Sequence, residues 1–163
     1  GSEMCIRDSP SDLRAVMKSV TKYTDNVGNA TGNVAGNVTV TTDYLFLLAE
    51  FEVFGARYYA NDYERSSQLQ YDYYKAGNSK IAYKHTAVGT AVWWWLRSPN
   101  YNNNNNFCNV NTGGGNHNNN AYYSAALLPG FYRYTVKWSS QAVKDDRCKR
   151  RDTSQGETPE TAL

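Results

Sequence analysis

Hydrophobic and polar positions divide this chain into short pieces. Behind Ser9-Pro10, Leu13, Val16, Met17 and Val20 recur at i, i+3, i+4 and i+7, which predicts a helix from Pro10 that fades near Tyr23. Residues 25–42 hold Asn, Gly, Thr and Val without helical period and read as a loop with one short edge strand. Tyr44–Leu48 is an apolar run suited to a buried strand, and Ala49–Phe54 reads as one helical turn stopped by Gly55. A second helix is expected over Tyr63–Tyr74, capped by Asn61 or Asp62, with Gly77 where a helix end favours a left-handed residue. Ile81–Lys84 reads as a short strand. Ala91–Arg97 is the clearest strand: Val92, Trp94 and Leu96 share one face, and Trp93, Trp95 and Arg97 the other. Two apolar faces predict a central strand covered on both sides, ended by Pro99.

The pattern then changes. Asn supplies 12 of the 21 residues from Asn100 to Asn120, with a Gly113-Gly114-Gly115 run beside it. An asparagine tract can be a low-complexity linker. This one is clamped between Trp93–Leu96 and Leu127–Phe131, and it is interrupted by Phe107-Cys108-Asn109-Val110-Asn111. In a strand, Cys108 and Val110 would face the core and Asn109 and Asn111 would be displayed. The displayed palette is Asn, Tyr, Gly, Ser and His with hardly a charge, close to that of antibody-like paratopes. Tyrosine gives broad amphipathic contact at low rotamer cost, and Asn, Ser and Gly give adaptable hydrogen bonding. The expected ligand-binding residues are Asn100, Tyr101, Asn102, Asn103, Asn104, Asn105, Asn106, Asn109, Asn111, Asn116, His117, Asn118, Asn119, Asn120, Tyr122 and Tyr123. Tyr101, Tyr122 and Tyr123 are the best anchors among them.

Composition narrows the options. At 163 residues the chain has the length of one ordinary domain. Lys and Arg total 17 against 15 Asp and Glu, a balance that argues against a dedicated nucleic-acid binder. The apolar runs are too short to span a bilayer, and no secretory signal is recognisable. Leu, Ile, Val and Phe make up only 28 residues, but 14 Tyr and 4 Trp offer large rings, so a small core built from rings is expected.

Chemistry-bearing residues are sparse. Cys5, Cys108 and Cys148 give neither a disulfide framework nor paired metal-ligand spacing. Cys108 reads as a buried small hydrophobe, because no His or acid sits at an obvious partner spacing. Trp93–Leu96 read as core, Arg97 as a donor to backbone carbonyls, His85 as a surface residue and His117 as one binding residue among many. Asn100–Ser124 contains no Asp or Glu, so a tight all-oxygen Ca²⁺ site there is not expected. No catalytic residue, metal or cofactor is assigned, and the chain is read as not an enzyme.

Several segments together resemble the C-type-lectin-fold variable proteins that retroelements diversify in phages and gut bacteria. They are Thr42-Asp43-Tyr44-Leu45-Phe46-Leu47-Leu48-Ala49-Glu50-Phe51-Glu52-Val53-Phe54-Gly55, Tyr73–Ile81, Trp94-Trp95-Leu96-Arg97-Ser98-Pro99, Phe107-Cys108-Asn109-Val110 and Pro129-Gly130-Phe131. The likeness covers about residues 43–132, and Ala126-Leu127-Leu128 departs from the Gly-Leu pair expected before Pro-Gly-Phe. The resemblance implies an α+β, C-type-lectin-like domain with two helices and a small twisted antiparallel sheet with long loops. It also implies adenine-directed mutagenesis. Asn codons carry adenines at their first two positions, so Tyr101, His117, Tyr122 and Tyr123 would be substituted positions among template-like asparagines. The implied partner is a protein or glycan on a target cell surface, without nucleic acid or direct membrane insertion, and with room for a homo-oligomer. Display would be on a phage virion, at the tail tip, or on a bacterial cell surface.

Two rivals remain. A structural phage-tail or adhesin module would use the Asn-rich face for packing. A formylglycine-generating-type enzyme would need a reactive cysteine pair. The expected organisation is a non-native, adapter-like leader over 1–9, the variable domain over 10–138 and a polar, disordered tail over 139–163 that includes Lys149-Arg150-Arg151.

Overall fold

The computed structural model describes residues 10–27 and 32–134. The expected leader and tail, with Cys5 and Cys148, lie outside the described residues. The chain divides into two compact units, Gly1–Arg133 and Tyr134–Leu163, and the fold described below is that of the first.

The architecture is α+β, with short helices and small antiparallel sheets. Helix α1 spans only Ser11–Val16 and buries nothing. Met17 is already extended, and strands β1 (Met17–Lys18) and β2 (Val20–Asp25) follow. The helix expected as far as Tyr23 is therefore corrected. The stretch after Met17 carries the β-branched residues Val20, Thr21 and Thr24, which pack well on a pleated surface. The partner is β3 (Val38–Asp43), which pairs β2 residue by residue from Val20↔Asp43 to Asp25↔Val38. The region expected to be mostly loop thus supplies a full six-residue strand. Local spacing gave way to cross-strand pairing that only the folded chain provides.

Strand β4 is reduced to Phe46–Leu47 and pairs β10 (Pro129–Gly130), while β1 pairs β11 (Tyr132–Arg133). Helix α2 (Glu50–Phe54) is the expected single turn. Glu52 reaches back to accept the Ala49 N–H at 2.9 Å, and Gly55 closes the turn at φ +66°. The left-handed φ is what favours glycine there, and a Cβ would also push the end of the Gln70 side chain aside. The second helix splits. A 3₁₀ stretch covers Asp62–Ser67, capped by the Asn61 side chain, and α3 covers only Asp72–Lys75. Between them the Tyr71 N–H bonds the Glu52 carbonyl at 3.0 Å, which holds that segment extended. Gly77 has the expected left-handed φ of +82°.

Strand β5 (Ala82–Lys84) pairs β6 (Ala87–Val92). Trp93 separates β6 from β7 (Trp94–Pro99), so the expected Ala91–Arg97 strand is two strands. Strand β7 joins β8 (Asn106–Val110) and β9 (Asn116–Asn120) in a three-stranded antiparallel sheet. The free side of β7 is also bonded: Trp95 N–H donates to Ala126 O at 3.0 Å and Arg97 N–H to Leu48 O at 2.9 Å. Trp94 and Leu96 are buried, and Trp93 and Trp95 are half-buried and pack edge to face at 4.8 Å.

The core gathers Val53, Ala60, Ala82, Trp94, Leu96, Cys108 and Val110. Rings contribute less than expected, since Trp94 is the one aromatic residue among the largest fully buried side chains. Glu50, Glu64, Asn61, Asn109 and Ser98 are buried as completely. Among the described residues no helix is long and apolar enough to cross a membrane.

Candidate binding surface

The three-stranded sheet fixes where the Asn-rich segment points. Trp94, Val110 and Asn116 stand in one row across the strands, and Trp95, Asn109 and His117 in the next. Opposed residues share a face. Cys108 and Val110 therefore face the core, and both are fully buried. Burial pushes the Cys108 thiol well above its ordinary range, which keeps it a protonated, inert side chain. Phe107, His117 and Asn119 stand on the outer face, with Phe107 and His117 exposed.

Not every predicted binding residue is displayed. Asn109 is 1% exposed, which corrects its place on the display face. It occupies the middle strand between Trp95 and His117 in register, and its neighbours cover it. Asn100 is buried too. Its side chain accepts the Asn102 N–H at 2.9 Å and donates to Asn118 Oδ1 at 3.2 Å. Asn106 donates to the same Asn118 oxygen at 2.6 Å, so these three amides fasten the start of the loop to β8 and β9. Asn111 lies just past β8 and accepts the N–H groups of Gly113 and Gly115, each at 2.9 Å, which builds the β8–β9 turn. Asn103 accepts the Asn105 N–H at 2.9 Å.

The remaining predicted residues form the outward surface. Asn102, Asn104, Asn105, His117, Tyr122 and Tyr123 are exposed, and Tyr101, Asn116, Asn119 and Asn120 are half-buried. Tyr122 and Tyr123 pack on each other at 4.6 Å, and Asn120 donates to the Tyr122 hydroxyl at 3.3 Å. Tyr101 is tied into the frame: Arg57 lies 4.1 Å from its ring, and its N–H bonds the Tyr59 carbonyl at 2.9 Å.

Sequence reasoning missed the polar groups that hold this frame. Glu50 accepts the N–H groups of Tyr58, Tyr59 and Ala60 at 2.8 to 3.0 Å, clamping the 58–60 loop against which Tyr101 bonds. Arg97 does donate to a backbone carbonyl, Leu47 O at 2.8 Å, and also to Thr24 and to Glu52 at 2.5 Å. Burial alone would raise the Glu52 carboxyl, but the Arg97 guanidinium, the Ala49 N–H and Lys22 together outweigh it and hold the group below the usual carboxylate range. Lys22 completes the cluster, 2.9 Å from Glu52 with its ammonium 3.9 Å from the Phe46 ring centre. Burial lowers the Lys22 ammonium, and Glu52 opposes the shift. Glu64 accepts from Ser98 and the Asp25 N–H, and burial pushes its carboxyl up to about 7. The available signal was Ala49-Glu50-Phe51-Glu52-Val53-Phe54, two acids alternating with apolar residues where a surface helix would segregate them.

Among the described residues no group of three or more His, Cys, Asp or Glu side chains is placed to hold a metal ion. His85 is exposed, away from any such grouping. A family model described as "Domain of unknown function (DUF6273)" matches residues 3–132, most of the chain. No curated protein and no solved structure shows a significant match.

Proposed function

The chain belongs to the DUF6273 family, and we propose that it is a hypervariable ligand-binding domain built on a C-type-lectin-like fold and diversified by a retroelement. One observation carries the reading. Residues 100–124 contain no Asp, Glu, Lys or Arg; Asn102, Asn104, Asn105, Tyr122 and Tyr123 are exposed in the turns flanking the β8–β9 pair, on which Phe107 and His117 are exposed and Cys108 and Val110 are buried. A surface kept only for solubility would use charge. Tyr122 and Tyr123 are the contact anchors, and Asn102, Asn104, Asn105 and His117 the adaptable hydrogen-bonding partners. The target is a protein or glycan on another cell, met by a phage tail tip or a bacterial surface through an interface of roughly 800 Å² per partner. The activity is binding, without catalysis or cofactor.

The internal bonds of Asn111 and Asn118 favour a second reading, a structural phage-tail or adhesin module. Genomes of one lineage separate the two. Under the proposal, codons 102, 104, 105, 117, 122 and 123 scatter at their adenines while 100, 109, 111 and 118 hold constant, and a near-copy template lies close to a reverse transcriptase gene. Uniform drift across residues 100–124 favours the structural module instead.

A further inference from the structure

Strand β3 (Val38–Asp43) pairs β2 along one edge, and its opposite edge is open. Thr39, Val40, Thr41 and Thr42 are exposed in succession, so both faces of the strand meet solvent as well. The Asn26 N–H bonds the Asn37 carbonyl at 3.0 Å, which fixes the alternation of the antiparallel ladder. Residues 39, 41 and 43 bond toward β2, and residues 38, 40 and 42 point their N–H and C=O groups away from it. The Val38 N–H is taken by the Ala35 carbonyl in the turn before the strand. Among the described residues, the N–H and C=O groups of Val40 and Thr42 and the Val38 carbonyl have no main-chain partner. Sheet proteins blunt such edges with lysine, proline or bulges. Strand β6 is blunted by a register shift at Tyr83–Lys84 of its partner and by Gly89 at φ +90°. Strand β3 has no such device. Its sequence Val-Thr-Val-Thr-Thr-Asp is β-branched up to Asp43, its register with β2 is unbroken, and Val40 is 55% exposed.

We propose that this edge pairs with the same edge of a second copy of the chain, antiparallel about Val40, joining two β2–β3 sheets into one of four strands. The free groups match themselves in that register. The two Val40 residues exchange N–H···O bonds, and each Thr42 N–H meets the other copy's Val38 carbonyl. Val40 packs beside its counterpart and Thr39 beside Thr41 of the other copy. Asp43, the one charge on the strand, lies opposite Asn37 rather than another carboxylate. A foreign strand would gain the main-chain bonds but not these matched side chains. A strand of 6 residues on each side is well under the roughly 20–30 of a standard interface, so the dimer is weak and reversible, with a Kd of about 10 μM to 1 mM. Strand β3 shares no residue with the proposed ligand-binding surface, so this dimer stands or falls apart from that reading. The test is sedimentation equilibrium of the full chain from about 1 μM to about 1 mM, with nitrogen-15 NMR dilution over the upper part of that range. A monomer–dimer equilibrium is expected, with concentration-dependent shifts centred on the amides of Val40 and Thr42. Val40→Lys sets two ammonium groups against each other across the axis and should weaken the dimer at least about tenfold. Val40→Pro removes an N–H that β2 does not use and should abolish the dimer. If Val40→Pro fails to fold, as read by circular dichroism, Val40→Lys decides, because that side chain is exposed. A chain that stays monomeric to about 1 mM, dilution shifts centred on another segment, or a dimer that Val40→Lys leaves intact overturns the proposal.

Discussion

Two polar regions of this molecule use similar bonds to opposite ends. Around Glu50, Glu52 and Glu64, carboxyl groups are buried and bound to backbone amides, Arg97, Lys22 and Ser98. Around Asn100–Asn120 the side chains are neutral amides: Asn100 and Asn109 are buried, others bond inward from the periphery, and Asn102, Asn104 and Asn105 are exposed. The difference lies in what a substitution leaves behind. Removing a buried carboxyl strands several donors away from water, whereas removing a peripheral amide returns its neighbours to solvent. Tolerance to change therefore follows burial and bonding, not residue type. The same asparagine is framework at positions 100, 109 and 111 and free display at 102, 104 and 105.

The largest expected effect comes from the acidic frame. Glu50→Ala leaves three backbone amides without their acceptor and should destabilise the domain by about 3–5 kcal/mol, read by urea denaturation. A loss below about 1 kcal/mol would erase the contrast between the two regions.

A second effect is a dependence on pH. The folded Glu64 binds its proton more tightly than its ordinary value of 4.5 implies, with its carboxyl near 7. Between these values the folded state holds more protons at this group than the unfolded one, so the Glu64 contribution to stability is full below 4.5 and is lost as pH rises to about 7. The gap corresponds to about 3 kcal/mol for a group buried this fully. Glu52, held low by Arg97, acts oppositely and only in acid, where stability is lost as pH falls below its unfolded range. Glu64→Gln should flatten the slope between pH 5 and pH 7 in denaturation curves. An unchanged slope would assign it to other groups.

The smallest effects sharpen the comparison inside the Asn-rich segment. Asn111→Ala removes the acceptor of two turn amides and should cost about 1–2 kcal/mol, while Asn104→Ala should stay within about 0.5 kcal/mol. Equal losses measured side by side would mean that the segment has no split between framework and display.

Much of the local structure is legible along the chain. The α2 turn ending at Gly55, the strand around Trp94 and Leu96, and the inward pair Cys108 and Val110 follow from spacing and glycine placement. The helix over 10–23 and the single helix over 63–74 mislead because their spacing competes with distant bonds: β2 pairs β3, and Tyr71 bonds Glu52. Asn109 misleads for a related reason. Alternation assigns a residue to one side of a strand, but whether that side is covered depends on its neighbours in register.

By itself the amino-acid order determined a palette: a charge-free, Asn- and Tyr-rich stretch held between two apolar segments, and the faces of the strand within it. Tertiary structure alone decided which asparagines bear load and which acids lie inside. Burial and hydrogen bonding are properties of partners brought together from distant positions, such as Arg97 on Glu52 and Asn118 on Asn100, and no local pattern encodes them.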